Sequence, residues 1–149
     1  MKQRFFKILS VAAVLLALSS LAALSGCKKA PQNADITGEW KLVSYQGAAA
    51  SEGDIDIYLS FDSAGNFFLF QKMGAGHYSA YKGTYTVSVN TVSGVYSSGA
   101  IWKCDYTAAL GDNSLSLTST ANPADYSTFT RTPIPASVRK DAEDYSTAD

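Results

Sequence analysis

The sequence predicts an all-β domain of seven or eight short antiparallel strands. In residues 54–61, isoleucine, leucine and phenylalanine alternate with aspartate, tyrosine and serine, which is the period of a strand with one buried face. Turn-forming residues at 62–65 and 111–113 separate such segments at hairpin spacing. A helical period is evident only at 136–145. Short turns between strands are typical of a sandwich or an up-and-down barrel, and periodicity does not distinguish the two.

The strand boundaries follow from local signals. Strands are expected at 38–45, 54–61, 66–72, 81–89, 100–110, 114–120 and 126–132, with a short strand inside 90–99. Residues 67–70 are apolar on both faces, so one face is expected to contact something other than the main core. Gly83 lies within its strand and predicts a bend, as where a barrel turns a corner. Pro133 and Pro135 end the last strand because proline has no backbone N–H to donate.

The composition is that of a folded protein without affinity for nucleic acid. The 149 residues are 46% hydrophobic, 12% aromatic and 17% charged, which excludes a disordered chain. Three of the 12 basic residues and none of the 13 acidic residues fall within residues 1–26. The rest of the chain is therefore mildly acidic, whereas nucleic-acid binding needs clustered lysine and arginine. No nucleic-acid partner is expected.

The N-terminus has the layout of an export signal. Residues 1–7 contain three basic side chains and no acidic one, and residues 8–24 form an uncharged run rich in alanine, valine and leucine. Serine residues dilute this run, which favours a cleaved signal over a helix that remains in the bilayer. The run ends in the tetrapeptide Leu24-Ser25-Gly26-Cys27.

This tetrapeptide resembles the lipobox of bacterial lipoproteins. The resemblance implies cleavage between Gly26 and Cys27 and a diacylglyceryl group on the Cys27 thiol, which would anchor the mature protein to a membrane. Two or three acyl chains such as palmitate bind a bilayer stably, at about 0.8 kcal/mol per buried methylene. Residues 28–34 are polar and contain a proline, as expected of a tether. Lys28 follows the cysteine where aspartate would favour the inner membrane, so the resemblance favours the outer membrane. The acidic pair that marks some surface-exposed lipoproteins does not follow Cys27, which favours the periplasmic face.

A second motif lies at the start of the first predicted strand. Gly38-Glu39-Trp40 resembles the Gly-x-Trp signature of lipocalins and of small lipocalin-like bacterial lipoproteins, and the likeness covers residues 35–138. It implies a single antiparallel up-and-down β-barrel of about seven or eight strands. The expected organisation is a cleaved signal at 1–26, the lipidated cysteine and tether at 27–35, the barrel at 36–138 and a polar C-terminal tail at 139–149.

The same resemblance assigns structural roles to Gly38, Trp40 and Arg131. Trp40 would plug the closed end of the barrel, and the guanidinium group of Arg131 would lie across its ring, a contact worth about 0.5–2 kcal/mol. Alternation along the strands gives four inward-facing candidates for lining a ligand site, which are Phe61, Tyr85, Trp102 and Tyr106. They would supply an apolar lining with hydroxyl groups, or else simply fill the core.

No catalytic, cofactor or metal site is predicted, and the protein is expected not to be an enzyme. Asp54 and Asp56 share a strand face where two carboxylates could bind Ca²⁺, but a solvated face opposite the isoleucines explains them. His77 is the only histidine and is expected in a surface loop, since it lacks further zinc ligands. Cys104 lies in an apolar pattern and is expected to be a buried thiol rather than a nucleophile.

Two functional hypotheses remain. In the first, the anchored barrel holds a small apolar or amphipathic molecule in its mouth, with loops 46–54 and 74–80 as the polar rim. In the alternative, side chains fill the barrel and its loops contact a protein partner, as in an interaction or inhibitor protein. The alternative predicts an exposed apolar patch, for which Phe68 and Phe70 are the candidates. Whether the interior is empty distinguishes the two.

Overall fold

The computed structural model describes residues 31–146, so the predicted signal, Gly26 and Cys27 lie outside the described residues. The elements in this range are β1 (Gly38–Tyr45), β2 (Ala48–Ala49), a 3-10 helix (Ala50–Gly53), β3 (Ile55–Phe61), β4 (Asn66–Met73), β5 (Ser79–Ser88), β6 (Thr91–Tyr96), β7 (Tyr106–Leu110), β8 (Ser114–Ser119), β9 (Tyr126–Arg131) and α1 (Ala136–Ser146). Within residues 31–146, no helix is long and apolar enough to cross a bilayer.

The sheet closes on itself as a barrel of eight antiparallel strands, β1 and β3–β9. Each of these strands pairs with the next, and β1 also pairs with β9, where Trp40 lies opposite Arg131. A bulge between Leu42 and Ser44 bends β1, and the short strand β2 pairs with the end of β1 beyond this bulge. The predicted up-and-down barrel is confirmed, with β2 as one additional strand.

The segment before β7 differs from the prediction. Alternation predicts a strand over 100–110, yet regular pairing begins only at Tyr106, and β6 and β7 pair at two positions. The Trp102 backbone N–H donates to the Gly94 carbonyl oxygen at 2.9 Å, and a side chain at Gly94 would overlap the indole ring. Ile101 also forms an isolated antiparallel bridge with Val95, so the segment lies against β6 before the regular pairing of β7 begins. Residues 91–96, expected to be largely loop, form the whole of β6.

The C-terminal helix covers the outside of β4 and β5. The helix expected at 136–145 is present as α1, and it contributes Val138 and Ala142 to a second apolar cluster. These residues are one turn apart and therefore lie on one helix face. Phe70 is buried beneath them at 5% exposure, which explains why residues 67–70 are apolar on both faces. Of the predicted partner patch, only Phe68 remains accessible, at 38% exposure.

Candidate functional site

The barrel is filled at the end where β1 begins. Trp40 is 0% exposed, and its indole N–H donates to the Ile36 carbonyl oxygen at 2.9 Å. The guanidinium carbon of Arg131 lies 4.2 Å from the centre of the Trp40 ring, and an Arg131 N–H donates to the Thr37 carbonyl oxygen at 3.1 Å. Gly38 has a φ of 133°, and a side chain there would overlap this guanidinium group. The structure thus brings together the three residues assigned to the closed end.

Phe61 and Tyr85 extend this filled region. Their rings meet edge to face with centres 4.7 Å apart, and the Tyr85 hydroxyl donates to the Asp62 carbonyl oxygen at 2.8 Å. Burial raises the pKa of the Tyr85 hydroxyl. Both side chains face inward as alternation predicts, but neither borders the cavity at the opposite end of the barrel. Phe61 at the end of β3 and Tyr85 within β5 lie instead beside the 62–65 turn, where the core is closed.

The opposite end contains a cavity of about 430 Å³ that opens to solvent at the barrel mouth. This volume lies within the usual range of roughly 300–1,000 Å³ for small-molecule sites. Most lining residues are apolar, namely Leu42, Ile55, Ile57, Leu59, Phe67, Leu69, Met73, Trp102, Leu117 and Phe129. The polar ones are Tyr45, Gln71, Tyr96, Lys103, Tyr106 and Ser127. The side chains of the described residues therefore do not fill the barrel.

Trp102 and Tyr106 line the cavity, in agreement with their predicted placement. The Trp102 ring meets Phe67 edge to face with centres 5.0 Å apart, and the Tyr106 ring centre lies 6.0 Å away. The indole nitrogen Nε1 of Trp102 is buried and has no hydrogen-bond partner among the described residues.

The hydroxyl groups around the cavity are neutral. Burial is the main cause that raises the pKa of Tyr106, and hydrogen bonding with the Cys104 side chain adds to it. Burial likewise raises the pKa of Tyr96. Cys104 is partly buried, and its sulfur accepts a hydrogen bond from the Ser119 hydroxyl at 3.3 Å. The tyrosines therefore donate and accept hydrogen bonds without carrying charge.

Lys103 was not predicted as a site residue, and alternation could not have found it. In a strand, Lys103 would face away from Trp102 and Cys104. The chain bends at residues 103 and 104, between the Ile101 bridge and the start of β7, and both Trp102 and Lys103 border the cavity. Among the described lining residues, Lys103 is the one charged side chain.

The other sequence candidates lie outside the cavity. Asp54 precedes β3 with a left-handed φ of 50°, so it does not share a strand face with Asp56. Asp56 accepts a hydrogen bond from the Tyr78 hydroxyl and lies 3.5 Å from the Lys41 ammonium group. His77 lies in the loop after β4, and its Nδ1 is 3.0 Å from a carboxylate oxygen of Asp141 on α1. In residues 31–146, no group of three or more histidine, cysteine or acidic side chains is arranged to hold a metal ion.

A closed antiparallel barrel with one packed end and one hollow end is compatible with the binding of a small ligand. A family model described as a lipocalin-like domain matches residues 36–117, more than half of the chain. The protein belongs to this lipocalin-like family, which confirms the resemblance. The match ends in β8, so β9 and Arg131, which close the barrel, lie beyond it. No curated protein matches the sequence significantly.

Proposed function

We propose that this protein holds one small apolar or amphipathic molecule in the cavity at the barrel mouth. The observation that carries the proposal is the cavity of about 430 Å³, lined mainly by aliphatic and aromatic side chains in an otherwise closed barrel. Transfer of apolar surface from water into such a lining is favourable by roughly 25 cal/mol per Å². The role is binding rather than catalysis, since the lining combines neutral hydroxyls, one amide, one indole and one lysine.

The proposal includes a lipid anchor on Cys27 at the periplasmic face of the outer membrane, supported by the signal and lipobox of residues 1–27. The chain enters the barrel domain at its closed end. There, Asn33 accepts a hydrogen bond from the Val89 N–H at 2.7 Å, and the Ala34 N–H donates to the Val89 carbonyl oxygen at 2.6 Å. The described chain therefore enters the barrel domain away from the mouth. Radiolabelled palmitate incorporated by the wild type but not by Cys27→Ala would establish the anchor.

Native mass spectrometry tests the binding role. Residues 32–149 form one compact unit, so residues 28–149 retain the whole folded domain. Purified without detergent and compared with its denatured mass, this domain is expected to carry a discrete excess mass that is lost on denaturation. An apo mass that stays unchanged after incubation with lipid extract would overturn the proposal in favour of a protein-binding barrel.

Two variants locate the bound molecule. Ile57→Trp places a larger side chain on the cavity wall and is expected to abolish the excess mass. Phe68→Trp is the matched control, because this side chain faces outward on β4 and is 38% exposed. Equal loss in both variants would contradict binding inside the barrel.

A further inference from the structure

A groove on the outside of the barrel runs between α1 and strand β5. It has a volume of about 1070 Å³ and is open to solvent. On β4, the helix buries Phe70 but leaves Phe68, two residues away on the same strand face, 38% exposed in the groove. Tyr81, at the β5 side of the groove, is 46% exposed. Part of the apolar outer face of the sheet is therefore not covered by α1.

Two opposite charges flank these aromatic side chains. Lys82 is paired across the sheet with Phe68 and is exposed on the barrel side of the groove, while Glu143 is exposed on the helix side. Within residues 31–146, the side chains of Lys82 and Glu143 form no salt bridge or hydrogen bond. Lys140, a cation close to Glu143 on α1, is already paired with Asp144 at 2.6 Å. The groove thus presents one cation and one anion, each available to a partner.

We infer that this groove is the interface of a symmetric dimer, in which Phe68 of two copies meet and Lys82 of each copy pairs with Glu143 of the other. A partner for the groove must offer an anion opposite Lys82 and a cation opposite Glu143, at the same separation. A second copy of the chain meets both requirements, because a two-fold axis between the walls of the groove makes each contact twice. This inference goes beyond the proposed function and does not depend on a ligand inside the barrel.

The direction of the groove agrees with a pair of parallel barrels. At the start of α1, the Ile134 N–H donates to the Glu39 carboxylate at 2.7 Å beside the closed end. Further along α1, the Asp141 carboxylate accepts from the Tyr78 N–H at 2.8 Å, just before β5 begins at the mouth. The groove along α1 therefore runs from the closed end towards the mouth. A two-fold axis along the groove leaves both mouths on one side of the dimer and both points of chain entry on the other.

Sedimentation velocity of residues 28–149 tests the dimer. Exposed ion pairs are weak, and a stable interface of standard size buries about 800 Å² per partner, so the dissociation constant is expected in the micromolar range. Between about 5 and 500 µM protein, the population is expected to shift from monomer to dimer. The dimer is expected to weaken as the salt concentration rises, because salt screens the two ion pairs.

Exchange of the two charges identifies the contacts. Lys82→Glu and Glu143→Lys each place like charges against one another twice, so each is expected to weaken dimerisation about thirtyfold. The double variant restores opposite charges and is expected to dimerise within about threefold of the wild type. Asp112→Lys is the matched control for Glu143→Lys, because Asp112 is exposed in the turn between β7 and β8, outside the groove. It is expected to leave dimerisation unchanged.

All of these variants change exposed side chains, and far-UV circular dichroism verifies that each is folded. Wild-type protein that remains monomeric at about 500 µM would overturn the inference. A dimer that both single charge exchanges leave intact would overturn it too, since another face would then form the interface. Weakening in both single variants without recovery in the double variant would refute the pairing of Lys82 with Glu143. Growth beyond the dimer would exclude a two-fold contact, because such a contact closes on itself.

Discussion

The two ends of the barrel use the same kinds of residue for different purposes. At the closed end, the Trp40 indole N–H is hydrogen-bonded and its ring is covered by Arg131. At the open end, the Trp102 indole N–H is buried without a protein acceptor, and its ring borders an unfilled cavity. One tryptophan is thus hydrogen-bonded and covered by the chain, while the other borders open space and has no hydrogen-bond partner among the described residues. Departures from complete packing and pairing are expected where a protein binds something.

The same substitution at the two tryptophans is expected to give the largest contrast. Trp40→Phe leaves a gap in a fully packed region and removes the donor to the Ile36 carbonyl, so it should lower the free energy of unfolding by about 2–4 kcal/mol. Trp102→Phe removes a donor that has no partner, and the lost volume adds to an existing cavity. Its effect should stay within about 1 kcal/mol. Urea denaturation of both variants at pH 7 measures the difference.

One outcome would contradict the expected difference between the two tryptophans. Equal destabilisation by Trp40→Phe and Trp102→Phe, in protein shown by native mass spectrometry to be free of ligand, would mean that Trp102 is as fully committed to the fold as Trp40. The division between a packed end and a binding end would then be wrong.

The stability cost of an added methyl group can be compared at two glycines, Gly83 and Gly94. A methyl group on Gly83 would overlap the Val95 carbonyl oxygen, which is held in the sheet. Gly83→Ala should therefore cost about 2–3 kcal/mol. A methyl group on Gly94 would instead overlap the Trp102 ring, which has the cavity beside it and can shift. Gly94→Ala should lower the stability less and should change the affinity for a neutral fluorophore such as N-phenyl-1-naphthylamine. A loss of stability as large as that of Gly83→Ala would show that the Trp102 ring cannot shift at the mouth.

Arg131 tests the closed end alone. Arg131→Met keeps an apolar stem over the Trp40 ring but loses the charge and the hydrogen bond to the Thr37 carbonyl oxygen. The free energy of unfolding is expected to fall by about 1 kcal/mol in thermal or urea unfolding. The affinity for N-phenyl-1-naphthylamine is expected to stay unchanged, because Arg131 lies far from the mouth along β9. A changed affinity with unchanged stability would reverse the roles assigned to the two ends.

The barrel was predictable because its signals are local. Period-2 alternation and turn residues locate most strands, and the Gly38-Glu39-Trp40 motif distinguishes a barrel from a sandwich by resemblance. The helical period at 136–145 locates α1, but the short apolar stripe of Val138 and Ala142 does not reveal from the sequence which strands it covers. Its partner, Phe70, is visible in the sequence only as an apolar residue on the unexpected face of β4.

The candidate site was less predictable because it depends on a departure from the strand pattern. Phe61 and Tyr85 face inward as alternation predicts, but alternation does not tell which end of a strand is packed and which is hollow. Which end is packed depends on Trp40, which fills the closed end, and on the volumes of all neighbouring side chains. Lys103 borders the cavity beside Trp102 at a bend between the Ile101 bridge and β7, where strand alternation does not apply.

Low pH is expected to change the free energy of unfolding least of all, through one carboxylate near each end of the barrel. The backbone N–H of Tyr78 and then the side chain of His77 hold the pKa of Asp141 below its ordinary value of 3.8, and hydrogen bonds from Asn66 do the same for Asp62 in the turn at the closed end. A depressed pKa stabilises the folded state above the ordinary value, and this contribution is lost as the pH falls below 3.8 through the lower folded pKa.

Asp62→Asn and Asp141→Asn should each make the free energy of unfolding less dependent on pH below 4, and solvent screening keeps both changes small. Asp141→Asn should also speed hydrogen exchange of the Tyr78 amide at pH 7, since that amide donates to the Asp141 carboxylate at 2.8 Å. Asp62→Asn is the control for this second measurement, because Asp62 lies at the other end of the barrel. An acid response that is unchanged in both variants would show that these carboxylates keep their ordinary pKa in the folded protein.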